Sequence, residues 1–220
     1  MSRYDLVCFD FDGTLMDTSS GIFHCARTSM ARVGVPIPPE ANMNLFVGPP
    51  LRDCFTITFG VTDPGTLDRL TAAYRDEYSA KGRFMAVPYP GMTAALDRLK
   101  SCRIAMAVTT NKNTVLAEAM NSHFGLEGYF FGVYGTGGAG DKGTKPDFIR
   151  RAMADAALAD CPRRVLMVGD TMLDARGAEI AGCDFLGVGF GFGEFTPEQV
   201  ATFDYPLLKD YSELPGIVLG

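Results

Sequence analysis

The segment Tyr4-Asp5-Leu6-Val7-Cys8-Phe9-Asp10-Phe11-Asp12-Gly13-Thr14 is an apolar run that breaks abruptly into two aspartates and a glycine. Residues 4–9 read as a short buried strand with charge concentrated at its carboxyl end. Similar apolar runs recur at residues 103–109, 129–134, 165–168 and 184–188. From the second run on, they alternate with helical stretches at 114–124, 147–159 and 173–181. Strands alternating with helices imply βαβ units and a parallel sheet covered on both faces. Ligands of such sheets bind beyond the carboxyl ends of the strands, so the residues just after each run carry the functional information.

Residues 18–85 break this rhythm. They hold helical segments at 19–33, 51–59 and 64–81, separated by Pro36-Ile37-Pro38-Pro39, Gly48-Pro49-Pro50 and Asp63-Pro64-Gly65. The expected fold class is α/β: a Rossmann-like parallel sheet core, residues 1–16 and 87–220, with a small all-α domain, residues 17–86, inserted after the first strand.

With 220 residues, 47% of them hydrophobic and 21% charged, the chain has enough apolar surface for its own core. No apolar run is long enough to span a membrane, and no leader precedes the first strand, so a cytoplasmic protein is expected. The six cysteines are scattered, without zinc-ligand spacing, and read as reduced core thiols. A net charge of −6 argues against a nucleic-acid polymer as partner, while leaving a small anionic metabolite possible. Oligomeric state is not legible.

Asp10 and Asp12, two apart at a strand end, leave the chain from one face, with Phe11 turned into the core. Two carboxylates placed so close repel, unless a divalent cation neutralises one or one carries a proton. Three further segments fall at neighbouring strand ends. Thr109-Thr110-Asn111-Lys112 offers a hydroxyl and backbone N–H groups before a helix, where anions bind readily. Gly169-Asp170-Thr171-Met172-Leu173-Asp174 adds two acids beyond a glycine. Lys145, in Thr144-Lys145-Pro146-Asp147, sits at a helix start, where a cation opposes the helix dipole and so has another task.

In order and spacing these four segments resemble the four motifs of the haloacid dehalogenase-like hydrolases, over essentially the whole chain. The resemblance implies a phosphatase in which Asp10 attacks phosphorus to form an aspartyl phosphate and Asp12 serves as general acid and base. It implies that Thr110, Asn111 with the nearby amides, and Lys145 hold the phosphoryl oxygens. It also implies Mg2+ on Asp10, the backbone carbonyl of Asp12 and Asp170, with Asp174 in support. Thr109 remains an alternative to Thr110, and Lys142 to Lys145. The helical insert, with Phe46-Val47-Gly48-Pro49-Pro50-Leu51-Arg52, is similar to the cap of the phosphoglycolate phosphatase-like branch. Arg52 is then a candidate to grip a substrate anion, in phosphoglycolate or a nucleoside 5'-monophosphate. A mutase of the β-phosphoglucomutase type, acting on a sugar phosphate, is the alternative.

Gly135-Thr136-Gly137-Gly138-Ala139-Gly140 fits a dinucleotide-binding spacing, but no helix opens from it and Asp141-Lys142-Gly143 departs from a P-loop. It reads as a loop leading to Lys145. His24 and His123 fall in helices away from the strand ends and give no support to a histidine-based triad.

Overall fold

The structure is a computed structural model and describes residues 2–47, 49–137, 143–192 and 205–220. The chain divides into two compact units, Met1–Asp17 with Pro88–Gly220, and Thr18–Val87.

The larger unit opens with β1 (Leu6–Phe9) and the short β2 (Met16–Asp17), and the helices of the insert follow: α1 (Ser19–Val33), α2 (Leu51–Phe59) and α3 (Pro64–Ala80). The chain resumes with β3 (Val87–Pro88), α4 (Met92–Ser101), β4 (Ala105–Asn113), α5 (Thr114–His123), β5 (Val133–Thr136) and α6 (Lys145–Asp155). It closes with β6 (Val165–Gly169), α7 (Met172–Ala181), β7 (Asp184–Val188), β8 (Leu207–Leu208) and a terminal helix, Leu214–Leu219.

Six strands form one parallel sheet in the order β5-β4-β1-β6-β7-β8. β1 is central because Leu-Val-Cys-Phe can be buried on both faces. On one face Leu6, Cys8, Ala107, Val165 and Met167 pack against Ile149, Ala152 and Met153 of α6 and against Ala175 and Ala178 of α7. Val7, Phe9, Met106, Val108, Leu166 and Val168 alternate with them and are buried as well. Each large aliphatic side chain so buried is worth about 1.5–3 kcal/mol, which makes the sheet centre a stiff frame.

Register then sets the site. Phe9 lies opposite Val108 of β4 and Val168 of β6, and the Asp10 amide donates to the Val168 carbonyl at 2.9 Å. Asp10 therefore emerges level with Thr109 and Gly169.

The insert has its own core, in which Phe46 meets Phe55 edge-on at 4.9 Å between ring centroids and also packs on Phe59 and Tyr74. Asp63 caps α3 by accepting from the Thr66 amide at 2.8 Å, with Pro64 in the first turn.

Several elements differ from the sequence expectation. β4 runs on to Asn113, through residues read as a strand end, because Asn113 still pairs with Thr136 of β5 across a bulge. The aromatic run at 129–131 precedes β5 and is not part of it: Phe130 packs edge-on against Phe9 and is buried. α4 was not expected, although Met92, Ala95, Leu96 and Leu99 carry a helical period and are buried. α6 begins at Lys145 itself. All six cysteines are free; Cys8, Cys25, Cys54 and Cys183 are buried, but Cys161 is exposed, outside any core. Among the described residues no helix is long and apolar enough to cross a membrane.

Candidate active site

Asp10 stands one residue past β1 and is 8% exposed, and Lys145 reaches it from the first turn of α6. The Lys145 ammonium donates to Asp10 Oδ1 at 2.9 Å and to the Thr109 carbonyl at 2.9 Å, and lies 2.7 Å from Asp174 Oδ1. Two hydrogen bonds and one ion pair thus hold the ammonium, and Asp174 Oδ1 is a buried oxygen that accepts no hydrogen bond among the described residues. Burial alone would pull this lysine down, but Asp10 and Asp174 outweigh it and hold its pKa above the usual lysine range. The lysine at the helix start is explained by these contacts, whose attraction exceeds the opposing dipole.

Asp174 works with both oxygens. Oδ1 meets Lys145, while Oδ2 accepts from the amide of Thr171 at 3.1 Å and from its hydroxyl at 2.7 Å, closing the capping box of α7. Burial and the charge of Asp10 raise its pKa, against the lowering influence of Lys145.

Asp170 is fully buried. The Thr14 hydroxyl donates to its Oδ1 at 3.1 Å and the Phe192 amide to its Oδ2 at 3.0 Å. Burial, then the charges of Asp10 and Asp174, push this carboxyl well above its ordinary range despite those bonds. Gly13 admits the approach: it has φ +76°, and a Cβ there would stand 2.0 Å from Asp170 Oδ2. Asp10, Asp170 and Asp174 each offer a carboxylate oxygen, and the three oxygens lie within 4.8 Å of one another.

Asp12 is set apart from this trio. Its carboxylate accepts from the Lys112 ammonium at Oδ1, 2.9 Å, and Oδ2, 2.7 Å. The repulsion anticipated between Asp10 and Asp12 is met in the structure by two lysines, one on each. Thr109 and Thr110 are distinguished by facing: the Thr109 hydroxyl points at Met167 Sδ in the sheet, 3.2 Å away, whereas Thr110 Oγ1 accepts from the Lys112 amide at 3.2 Å, leaving its own proton to donate. Asn111 is exposed, and its carbonyl accepts from Thr136 Oγ1 at 3.2 Å.

Arg52 lies in the insert and is engaged there, on the Asp68 carboxylate and, at 3.3 Å, on the Pro64 carbonyl. Lys142, and residues 138–140 of the glycine-rich loop, lie outside the described residues. His24 pairs with Glu77 at 3.1 Å inside the insert.

Sequence reasoning missed Lys112, Thr14, the Phe192 amide and Tyr211, whose hydroxyl donates to the Thr14 carbonyl at 2.7 Å from 197 residues away. Lys112 had a signal, since it follows Thr110 at the same strand end. Tyr211 had none.

A parallel sheet covered on both faces, with carboxylates gathered around a buried lysine at adjoining strand ends, is a hydrolase architecture. The chain belongs to the haloacid dehalogenase-like hydrolases, whose family pattern matches residues 7–188. It is 34% identical over 188 residues to PtkA of Mycobacterium tuberculosis, named a tyrosine-protein kinase. That match covers 86% of this chain and 63% of PtkA, so the chain spans under two thirds of that relative's length. A 5'-nucleotidase from Pseudomonas aeruginosa is 32% identical over 191 residues, 87% of this chain and 85% of the nucleotidase. Among solved structures, a haloacid dehalogenase-like family hydrolase from Streptococcus pneumoniae superposes with TM-score 0.84 at 28% identity, over 97% of this chain and 98% of that one.

Proposed function

We propose that the chain is a magnesium-dependent phosphomonoesterase that hydrolyses a small phosphorylated metabolite through an aspartyl phosphate on Asp10. The observation that carries this reading is the cluster of Asp10, Asp170 and Asp174. These are three buried carboxylates with oxygens within 4.8 Å, and among them stands the single ammonium of Lys145. Buried negative charge in excess of its partners is costly unless a cation joins it, and hard carboxylate oxygens suit Mg2+. Asp10, Asp170 and the backbone carbonyl of Asp12 would hold the ion. Asp174, with its oxygens engaged by Thr171 and Lys145, would act in support. The bound ion would offset the repulsion between the Asp10 carboxylate and a phosphate dianion.

The remaining chemistry belongs to the chain. An Asp10 oxygen attacks phosphorus as the bond to the leaving oxygen breaks, and Asp12 gives that oxygen a proton. Asp12 then takes a proton from water, whose oxygen attacks phosphorus, releasing phosphate and restoring the Asp10 carboxylate. Lys145, held by two hydrogen bonds and the Asp174 ion pair, orients Asp10 and brings positive charge to the phosphoryl group, and the Thr110 hydroxyl and the amides near Asn111 bind its oxygens.

In this reading the substrate is phosphoglycolate-like or a nucleoside 5'-monophosphate. Phosphate release from phosphoglycolate, nucleoside monophosphates and sugar phosphates, measured by kcat/KM with Mg2+ and with EDTA, tests it. Turnover of at least one monoester, abolished by EDTA, is expected. Release that survives EDTA, or isomerisation of a sugar phosphate without release, would overturn it.

A further inference from the structure

Asp170 is held through both of its oxygens, each by a different segment. The Thr14 hydroxyl donates to Oδ1 at 3.1 Å, and the Phe192 amide, beyond β7, donates to Oδ2 at 3.0 Å. Neither Thr14 nor Phe192 lies in a strand or helix, so sheet pairing does not fix them. Tyr211 reaches both segments. It is fully buried, its hydroxyl donates to the Thr14 carbonyl at 2.7 Å, and its ring packs on that of Phe190 at 5.4 Å between centroids. Phe190 packs in turn on Tyr89, 4.9 Å between centroids, and the Tyr89 amide donates to the Leu15 carbonyl at 3.2 Å. The contacts thus close on themselves, from the turn at Thr14 through Tyr211, Phe190 and Tyr89 back to Leu15. Little slack remains between the segments: a Cβ on Gly191 would stand 2.4 Å from Asp170 Cβ and 2.5 Å from the Gly13 carbonyl oxygen. A shift of either segment is therefore passed to Asp170.

We propose that Tyr211 is a positioning residue for the cation site: by holding Thr14 through its hydroxyl and Phe190 through its ring, it keeps both donors to Asp170 in place and so sets the affinity for Mg2+. The inference rests on the magnesium-dependent reading and extends it to the C-terminal segment, which carries none of the four motifs. Groups that orient a metal ligand from behind matter about 10- to 100-fold to metal affinity. A carboxylate free to swing also forfeits the near-ideal geometry that Mg2+ demands. Tyr4 shows what a tyrosine with a mechanical role alone would look like. It is buried too, and its hydroxyl donates to Asp184 Oδ2 at 2.8 Å, but at the amino end of β7, away from the strand ends that carry the acids.

The test is titration calorimetry with Mg2+ alone, beside melts with and without the ion, for the wild type, Tyr211→Phe, Phe190→Leu and Tyr4→Phe. Tyr211→Phe should raise the Mg2+ dissociation constant about 10-fold, the scale of a lost outer-shell hydrogen bond. With a monoester its kcat should fall at low Mg2+ and recover in excess Mg2+, with KM for the monoester unchanged. Phe190→Leu should weaken Mg2+ binding in the same direction by less. Tyr4→Phe should lower the melting temperature and leave Mg2+ affinity at the wild-type value. A folded Tyr211→Phe that binds Mg2+ as tightly as the wild type would overturn the proposal, as would a Tyr4→Phe that weakens binding equally. Should Tyr211→Phe not fold, unchanged Mg2+ affinity in Phe190→Leu overturns it instead. A wild type that binds Mg2+ but releases phosphate from no monoester would remove the phosphatase reading and leave the role of Tyr211 standing; one that binds no Mg2+ would remove both.

Discussion

Asp12 and Asp170 have carboxylates of different exposure. Asp12, at 27% side-chain exposure, is the more open of the two, and the proposed function makes it the proton carrier. Its replacement by Asn should lower turnover about 10²- to 10⁴-fold, the range for loss of a general acid and base, and should lower the melting temperature as well, because the Lys112 ammonium, 8% exposed, loses the carboxylate that faces it. Asp170 is sealed in, and its carboxyl is pushed well above the ordinary range by burial and by Asp10 and Asp174. A folded-state pKa above the unfolded one means that ionisation opposes folding, so the penalty grows as pH rises above about 4, where the unfolded carboxyl titrates. Asp170→Asn should therefore melt higher than wild type at neutral pH in EDTA, with the gain shrinking as pH falls toward 4; thermal melts across pH check this, and a lower melting temperature at neutral pH would contradict it. At this scale the sequence was informative wherever a residue broke a local rule. Lys145 at a helix start and paired aspartates at a strand end are such breaks. Lys112 breaks none, and Tyr211 acts across 197 residues on a backbone carbonyl, beyond the reach of any local pattern.

The helices that flank the site set it through close packing. α7 passes the stem of Lys145 at Gly177, where a Cβ would stand 2.6 Å from Lys145 Cγ. Alanine inside a helix ordinarily stabilises by about 0.5–1 kcal/mol over glycine. Here the expected sign is reversed: Gly177→Ala should destabilise by about 1–3 kcal/mol through overpacking and should reduce activity by displacing the ammonium from Asp10. Denaturant unfolding gives the first quantity and phosphate release the second. Elements were legible where periodicity was long and punctuated, as in α1 and α2, whose bounds the proline and glycine breaks announce. They were obscured where tertiary pairing overrode local signals. β4 extends because β5 continues to pair with it, and the aromatic run at 129–131 is apolar because Phe130 packs on Phe9, not because it is a strand.

For the whole molecule, alternating strands and helices made the parallel sheet readable, while the order of its strands came only with the structure. The partners of the site that come late in the chain, the Phe192 amide and Tyr211, were not readable, since no motif marks them. Three buried carboxylates gathered at neighbouring strand ends would tie stability to a bound cation. Mg2+ at a hundred times its dissociation constant should add about 2.7 kcal/mol to the stability of the wild type, and Asp170→Asn should show little of this shift in paired melts with and without the ion. The central claim, that Asp10 becomes covalently phosphorylated, is tested most directly by acid-quenched single-turnover reactions with a substrate phosphorylated with labelled phosphorus, followed by peptide mapping. The account predicts a Mg2+-dependent, hydroxylamine-sensitive label on the peptide containing Asp10, absent from Asp10→Asn. A label on any other residue, or turnover by Asp10→Asn at the wild-type rate, would contradict it.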